Sequence, residues 1–186
     1  MYQSQMLIDG RDLLLEEGSG RRAVIYNPAN QEAVGEVAVG RRQDARLALQ
    51  AAEKAFPLWS KTSSQKRGEI LHEAAARVRE RAEELARLLT LEQGKPLKFA
   101  RAEVLSSADV LDYYAEEGKR NYGEWITGPR SRSIVLHQPI GVAALITPWN
   151  YPVDLLAWKV APCLAAGCTF VAKPPSLAPL AATEFV

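Results

Sequence analysis

The chain contains few cysteines and no long apolar run, and each shortage argues against a class of protein. Its 186 residues include two cysteines, Cys163 and Cys168, which stand too close together to suggest a disulfide-stapled secreted fold. We therefore expect a reducing, cytoplasmic setting. No apolar stretch approaches the roughly 18 residues of a membrane span, and the N-terminus lacks a basic-then-apolar signal pattern. The sequence thus predicts no membrane partner.

A charge excess and the common nucleotide- and metal-binding motifs are also missing. The formal net charge is +1, which gives no electrostatic reason to expect nucleic acid or a membrane surface as a partner. No Gly-x-Gly-x-x-Gly fingerprint or glycine-rich phosphate loop occurs, and no Cys/His cluster has metal-ligand spacing. We expect structural or solvated roles for His72 and His137, and no metal site.

The chain does have an ordinary globular composition and a long helical first half. Hydrophobic residues make up 47% of the sequence, which is enough for one domain with a core. Weak alternation predicts strands over 6–9, 22–26 and 32–39. Apolar periodicity predicts three helices, over 44–56, about 62–93 and about 97–119. Asp44 is the expected N-cap of the first helix, Thr62 or Ser63 opens the second, and Gly94 ends it.

The last third of the chain alternates between strand and helix. Short apolar runs over 142–147 and 169–173 are typical of buried parallel strands, and a helix is expected between them over about 152–166. This order predicts a βαβ unit. The fold class is therefore α/β, with three N-terminal helices followed by the start of a Rossmann-like parallel sheet.

The segments on either side of this unit are less regular. Residues 123–132 are expected to form a loop, and 133–137 an edge strand or hairpin arm. A final helix begins at about residue 178 and has no stop signal before Val186, so we expect the chain to be truncated.

Polar groups follow both predicted strands of the βαβ unit. Asn150 lies in Thr147-Pro148-Trp149-Asn150-Tyr151-Pro152 just beyond the first strand, and Lys173 ends the second. Ligands of open α/β sheets bind beyond the carboxyl ends of strands. Asn150 is therefore a candidate rigid amide donor and Lys173 a candidate partner for nucleotide hydroxyls or phosphate. Turn stabilisation by Asn150 and a solvated Lys173 are the alternatives.

Three further residues have less distinctive surroundings. Asp154 either caps the helix after Pro152 or lines a pocket. Cys163 falls on an apolar helix and Cys168 just before a strand, so both are expected to pack in the core rather than to act as nucleophiles.

Several segments together resemble the aldehyde dehydrogenase superfamily. They are Leu91-Glu92-Gln93-Gly94-Lys95-Pro96, Gln138-Pro139-Ile140-Gly141-Val142, residues 147–152, Lys159 with residues 165–169, and Lys173-Pro174. Residues 114–124 are most similar to the succinate-semialdehyde dehydrogenase branch. The resemblance covers nearly the whole chain, as an N-terminal portion of an incomplete aldehyde dehydrogenase fold. It implies a helical part of the cofactor-binding domain over 1–124, a β-arm of the oligomerisation region over 125–140, and the first βαβα segment of the NAD(P)-binding domain over 141–186.

The resemblance also implies roles for individual residues. Asn150 would be the side-chain donor of the oxyanion hole. Lys173 would bind the adenosine ribose hydroxyls, while the residues before Asn150 would contact the nicotinamide and its ribose. The implied cofactor-binding residues are Ile146, Thr147, Pro148, Trp149, Asn150, Lys173, Pro174 and Ser176, and the implied substrate-tunnel residues are Asp154 and Trp158.

Two departures from the family pattern bear on specificity. Ser176 stands where NAD-preferring members often carry Glu, and a hydroxyl tolerates the 2′-phosphate that a carboxylate repels, so NAD or NADP is expected. Trp158 stands where the succinate-semialdehyde branch tends to carry an Arg for the substrate carboxylate, and it resembles enzymes for apolar aldehydes.

The implied function is oxidation of an aldehyde to a carboxylic acid by an NAD(P)-dependent enzyme that forms homo-oligomers. Alternatives are a succinate-semialdehyde or other semialdehyde dehydrogenase and a catalytically inert truncated or structural relative. The family's nucleophilic Cys and general-base Glu lie downstream of these motifs, so we expect this chain alone to be inactive.

Overall fold

A computed structural model describes residues 1–13 and 21–186 of the chain. Its helices are α1 (Arg42–Trp59), α2 (Ser64–Glu80), α3 (Ala82–Gln93), α4 (Leu97–Glu117), α5 (Asp154–Ala165) and α6 (Leu180–Phe185). Its strands are β1 (Tyr2–Ser4), β2 (Met6–Ile8), β3 (Arg11–Leu13), β4 (Arg22–Tyr26), β5 (Ala33–Ala38), β6 (Glu124–Thr127), β7 (Arg132–Val135), β8 (Val142–Ile146) and β9 (Thr169–Lys173). The α/β class predicted from the sequence is confirmed.

The N-terminal strands form a small sheet and a hairpin. Strand β5 lies between β1, which runs parallel to it, and β4, which runs antiparallel. Strands β2 and β3 pair through a tight turn in which Asp9 and Gly10 both have positive φ, as an Asp-Gly type I′ turn requires. The predicted strands at 6–9, 22–26 and 32–39 are confirmed within a residue at each end. Strands β1 and β3, each of three residues, were not predicted from the sequence.

The predicted N-caps have mixed outcomes. Ser63 caps α2 by accepting a hydrogen bond from Lys66 N at 3.2 Å, as expected. Asp44 is not an N-cap, because α1 begins two residues earlier. Its carboxylate instead accepts a hydrogen bond from Arg41 N at 2.6 Å and forms an ion pair with Arg21. It therefore closes the first turn from inside the helix.

The prediction of one continuous helix over about 62–93 is wrong at one residue. Arg81 has φ −94° and ψ 7° and separates α2 from α3. Its guanidinium binds the Glu84 carboxylate at 3.0 Å and the carbonyl and carboxylate of Glu184 at 3.0 and 2.9 Å. The apolar pattern is the same on both sides of the break, so periodicity alone does not reveal it.

Most of the core lies among the helices. Leu71 of α2, Leu85, Leu88 and Leu89 of α3, and Val104 of α4 are almost fully buried. Alanines dominate where α4 and α5 meet this core, namely Ala100, Ala108, Ala115, Ala157, Ala161 and Ala165. Small side chains let the helix backbones approach closely, and each buried Leu contributes roughly 1.5–3 kcal/mol. This packed layer supports α5 from one side.

The βαβ unit is confirmed. Strands β8 and β9 are parallel and α5 connects them, with Ile146 opposite Lys173 at their carboxyl ends. Helix α1 contacts the start of β9, where Thr169 Oγ1 donates to the carbonyl oxygen of Ala52 at 2.9 Å. Within the described residues, no helix is long and apolar enough to cross a membrane.

The predicted loop over 123–132 is wrong in its first half. Residues Glu124–Thr127 form β6, which pairs antiparallel with β7. The expected hairpin arm at 133–137 is confirmed, with its strand at Arg132–Val135. The side chains of β6 are exposed, so its sequence has no buried face to give the alternation by which a strand is recognised.

Candidate functional site

The carboxyl ends of β8 and β9 lie side by side. Ile146 pairs with Lys173, and the next backbone amide, that of Thr147, donates to the Lys173 carbonyl oxygen at 3.4 Å. The segment 147–152 therefore leaves the sheet beside the segment that follows Lys173. The sequence-based expectation that the two polar segments share one edge of the sheet is confirmed.

Side chains at and just after the end of α3 hold the loop that carries Asn150. The side-chain amide of Gln93 donates to the carbonyl oxygens of Trp149 and Asn150, at 2.6 and 3.0 Å. The ammonium of Lys95 also donates to the Asn150 carbonyl oxygen, at 3.0 Å. These contacts hold the backbone carbonyl of Asn150, and the residue is exposed.

A buried carboxylate completes this support. Glu103 of α4 is almost fully buried and accepts hydrogen bonds from Val153 N at 3.0 Å and Asp154 N at 3.4 Å. It thereby satisfies amides at the first turn of α5. Lys95 forms an ion pair with Glu103 and lies 3.9 Å from the ring centroid of Tyr151. One cation thus ties α4, the Asn150 loop and Tyr151 together.

The edge presents apolar surface with a few polar groups. Ile146 is 66% exposed and Trp149 is 55% exposed, and Pro148 is also exposed. Thr147 is buried, and its Oγ1 has no hydrogen-bond partner among the described residues. Small-molecule sites commonly combine apolar walls with a few placed polar groups.

Lys173 and Ser176 form a polar pair beyond β9. The Lys173 ammonium donates to Ser176 Oγ at 3.1 Å, and both side chains are exposed. Pro174 and Pro175 lie between them in sequence, which restricts the backbone that sets their separation. The pair offers a cation and a hydroxyl at a single point.

Asp154 and Trp158 lie one turn apart on α5. Asp154 is the first residue of the helix, and its side chain makes no capping hydrogen bond, so the capping alternative is wrong. Its Oδ1 is buried without a partner among the described residues. Trp158 is 48% exposed and meets the ring of Tyr114 edge-on, with centroids 6.1 Å apart. The tunnel role of both residues stays a prediction.

The two cysteines lie away from this edge. Cys168 precedes β9 and Cys163 is in the last turn of α5, so both lie at the end of the sheet opposite Lys173. Cys168 is 5% exposed, which confirms core packing for it, whereas Cys163 is half-buried. Burial, with a smaller effect of Cys168, raises the pKa of Cys163 to about 11, so its thiolate is scarce near neutrality.

The remaining ionisable and concave features lie elsewhere. His72 is held by Asp112 and Glu116, and His137 by Asn121, as structural histidines. No group of three or more His, Cys, Asp or Glu side chains in residues 1–13 and 21–186 could hold a metal ion. Two surface concavities lie between β1 and α6 and between the β2–β3 hairpin and α1, and neither includes a residue of the β8–β9 edge.

Three supporting residues were missed at the sequence level. Gln93 and Lys95 were noted only as part of a family-like segment, without a role. Glu103 carries a usable signal, because it lies on the buried stripe of α4 with Ala100 and Val104. A carboxylate in such a stripe is rarely buried without a partner, which argues for a specific contact.

Comparison with known proteins places this geometry in a family context. The sequence pattern of the aldehyde dehydrogenase family matches residues 15–186. The chain is 42% identical over 184 residues to the succinate-semialdehyde dehydrogenase (NADP(+)) of Escherichia coli, and the aligned region covers 98% of this chain and 38% of that protein. It is 40% identical over 188 residues to the glutarate-semialdehyde dehydrogenase of Pseudomonas putida, and that aligned region covers 100% of this chain and 39% of that protein.

A solved structure gives the same result in three dimensions. The crystal structure of an NADP-dependent enzyme of E. coli superposes with a TM-score of 0.93 and 41% identity, over 99% of this chain and 38% of that one. The chain thus spans somewhat under two fifths of the length of the relatives it matches.

Proposed function

The chain belongs to the aldehyde dehydrogenase family, and from that premise we propose that it forms part of an NAD(P)-dependent enzyme that oxidises an aldehyde to a carboxylic acid. The observation that carries the proposal is the double anchoring of the Asn150 backbone by Gln93 and Lys95 at the carboxyl edge of β8. An amide whose position is fixed before the reaction can stabilise charge without reorganising.

Asn150 would act as a hydrogen-bond donor to the substrate oxygen. When a nucleophile adds to an aldehyde, the carbonyl oxygen gains negative charge, and a side-chain amide N–H aimed at it stabilises that charge. The backbone carbonyl of Asn150 is already occupied by the Gln93 amide and the Lys95 ammonium. These bonds hold the residue while its side-chain amide remains exposed to a ligand.

The residues at this edge fit a nicotinamide nucleotide. Lys173 and Ser176 can donate to ribose hydroxyls or to a 2′-phosphate, and Ile146 and Trp149 supply exposed apolar surface for a ring. Thr147 Oγ1 is a buried polar atom without a partner among the described residues. When bound, the cofactor would supply the hydride acceptor.

Tolerance of NADP is the finer part of this proposal. Ser176 has no charge to repel a 2′-phosphate, and Lys173 lies 3.1 Å from its hydroxyl. We expect Ser176→Glu to shift the ratio of kcat/KM values from NADP toward NAD by about tenfold or more, because a carboxylate facing a phosphate costs several kcal/mol. Ser176→Ala is the matched control, since it removes the hydroxyl and adds no charge. An unchanged ratio in the Glu variant would place the 2′ position elsewhere.

A semialdehyde substrate is the second candidate, and it is favoured by the names of both similar enzymes. Trp158 is the observation against it, because an uncharged indole cannot form an ion pair with the carboxylate of a semialdehyde. The test compares kcat/KM for succinic semialdehyde with that for butanal in the full-length protein. Trp158→Arg is expected to raise the preference for the semialdehyde by about tenfold, since hydrogen bonds to charged groups contribute roughly 1.5–3 kcal/mol. A strong preference of the unaltered protein for succinic semialdehyde over butanal would favour a semialdehyde as the substrate.

We further propose that the 186 residues alone do not catalyse the reaction. Neither cysteine lies at the β8–β9 edge, and the Cys163 thiol has a raised pKa. Aldehyde-dependent formation of NAD(P)H by the isolated chain should therefore be undetectable. Turnover that disappears on Cys163→Ser or Cys168→Ser would identify that cysteine as a nucleophile after all, and turnover that survives both changes would overturn the requirement for one. Within the same proposal, a homo-oligomeric state and a cytoplasmic location remain predictions.

A further inference from the structure

The connection from α5 to β9 is a helix-ending motif with a defined geometry. Gly167 has φ +88°, its N–H donates to the Leu164 carbonyl oxygen at 3.0 Å, and the Cys168 N–H donates to the Cys163 carbonyl oxygen at 3.0 Å. These two bonds, around a left-handed glycine, define a Schellman motif. In this motif two side chains commonly touch: that of the third residue from the end of the helix and that of the residue after the glycine. Here both are cysteines.

Contacts of Cys163 hold the end of α5 against the start of β9, next to Cys168. The Cys163 thiol donates to the carbonyl oxygen of Thr169, the residue directly after Cys168, at 3.6 Å. Burial raises the pKa of the Cys163 thiol, and the neighbouring Cys168 thiol adds to the rise. A backbone bond from Cys168 N to Cys163 O brings the two Cα atoms within the separation of about 4.4–6.8 Å that a disulfide spans.

We propose that Cys163 and Cys168 form a reversible dithiol–disulfide site that staples the end of α5 to the start of β9. The oxidants of this site are small disulfides such as glutathione disulfide. They reach Cys163 first, because Cys163 is half-buried whereas Cys168 is 5% exposed. Cys168 needs no access to solvent, since its only partner is Cys163.

The exchange balances with glutathione disulfide as the oxidant. The small fraction of Cys163 that is thiolate, since its pKa is raised to about 11, attacks one glutathione sulfur slowly, which forms a mixed disulfide and releases one glutathione thiolate. The Cys168 thiolate then attacks the Cys163 sulfur, which forms the Cys163–Cys168 bond and releases the second glutathione. Two electrons pass from the protein thiols to glutathione disulfide, and the two protons from the thiols end on the two glutathiones.

A cation lies beside the pair. Arg67 Nε donates to the Ala165 carbonyl oxygen at 3.1 Å, and its Nη1 lies 3.3 Å from where a Cβ on Gly167 would stand. A guanidinium at this point can offset the negative charge that develops on sulfur during exchange. Arg67 also binds the Thr62 carbonyl oxygen, so the same side chain links the motif to the turn before α2.

The test measures the effective concentration of the two thiols in the 186-residue chain. The chain is equilibrated in glutathione buffers of graded ratio, the exchange is quenched by acid and alkylation, and the disulfide is counted by intact mass. The measurement is repeated across a guanidinium series, with helical content followed by circular dichroism. We expect an effective concentration at least about tenfold higher in the folded chain than in the denatured one, because the motif fixes a geometry that the open six-residue loop only samples.

Three variants make the result specific. Cys168→Ser should give a mixed disulfide at Cys163, Cys163→Ser should give little because Cys168 is 5% exposed, and neither variant should lose two hydrogens from the intact mass. Gly167→Ala, which forces a side chain into a left-handed φ, should lower the effective concentration toward the denatured value. The proposal would be overturned if the effective concentration in the folded chain were no higher than in the chain denatured by guanidinium. Disulfides that join two chains would also overturn it.

Discussion

Glu92 is the ionisable residue whose surroundings are most at odds with its charge. It is 3% exposed, and its two carboxylate oxygens accept hydrogen bonds from Leu180 N at 2.7 Å and Ala181 N at 2.8 Å, at the start of α6. Burial raises its pKa to about 7, with Glu103 adding to the rise and the two amides opposing it. Desolvation thus outweighs two good hydrogen bonds.

This shift gives stability a defined dependence on pH. Between the ordinary pKa of 4.5 and the folded value of about 7, the folded chain keeps a proton that the unfolded chain has released. The contribution of Glu92 to the free energy of unfolding is therefore fully present below pH 4.5 and is lost as the pH rises to about 7. The loss is on the order of 3 kcal/mol.

Glu92→Gln should remove that part of the pH dependence. Urea unfolding at about pH 5 and about pH 8 should show a smaller drop in stability for the variant than for the unaltered chain. The carboxyl carbon resonance of Glu92 provides an independent check, since it should titrate near pH 7. A midpoint at the ordinary value of a glutamate would show that the carboxylate is ionised when folded.

The locations of the site residues were predictable where they depend on local pattern. Lys173 ends one apolar strand and Asn150 lies shortly after the other, and parallel strands end at the same edge. The partners of Glu92 and Glu103 were not predictable, because Leu180 and Val153 lie 88 and 50 residues away in sequence. A Glu in a helical stretch is ordinarily exposed, and only the tertiary fold reverses that expectation.

At the scale of elements, the end of α3 connects fold and site. Gly94 ends the helix with φ +78°, directly between Gln93 and Lys95, which hold the Asn150 loop. A Cβ on Gly94 would lie 2.9 Å from Pro28 Cγ. Both the backbone angle and the contact therefore favour glycine here.

Gly94→Ala should be more destabilising than Gly10→Ala, which is its matched control. Gly10 has a similar φ of +70°, but a Cβ there would meet nothing within 4 Å. Both variants carry the left-handed penalty of about 1–2 kcal/mol, and Gly94→Ala adds the contact with Pro28. Chemical denaturation of the two variants measures the difference. Equal losses would mean that Pro28 moves aside without cost.

Element boundaries could be predicted where a chemical signal marks them. Ser63 and Gly94 are such signals: Ser63 begins α2 and Gly94 ends α3, as expected. The break at Arg81 has none, and the contacts that Arg81 makes there include one to the distant Glu184. Strand β6 is likewise set by pairing with β7 rather than by its own pattern.

At the scale of the whole molecule, the β6–β7 hairpin presents apolar side chains to solvent. They are Trp125, Ile126, Ile134 and Leu136. Trp125 and Ile134 pair across the two strands and share one face of the hairpin, and exposed apolar surface of this kind is typical of an interface between chains. The proposed homo-oligomer would use this hairpin.

Ile134→Lys should reduce self-association of the chain. Introducing a charge into a buried contact removes apolar burial and adds a desolvation cost, so sedimentation at graded concentration should shift toward the monomer. Leu58→Lys, at an exposed apolar position in α1, is the control and should change nothing. A chain that is monomeric before any change, with a cooperative thermal transition, would contradict the proposed interface.

The most direct test of the proposed function is the steady-state kinetics of Asn150→Ala in the full-length protein that contains these residues. We predict that kcat falls by about a hundred- to a thousandfold, since this is the usual loss on removing one oxyanion donor. The KM for the nicotinamide cofactor should change little, because Lys173 and Ser176 remain. Asn30→Ala, which removes an exposed amide in the turn before Glu32, should leave kcat unaltered. A kcat for Asn150→Ala within about twofold of the unaltered enzyme would contradict the oxyanion role, because a lost donor at that oxygen should cost a few kcal/mol of transition-state stabilisation.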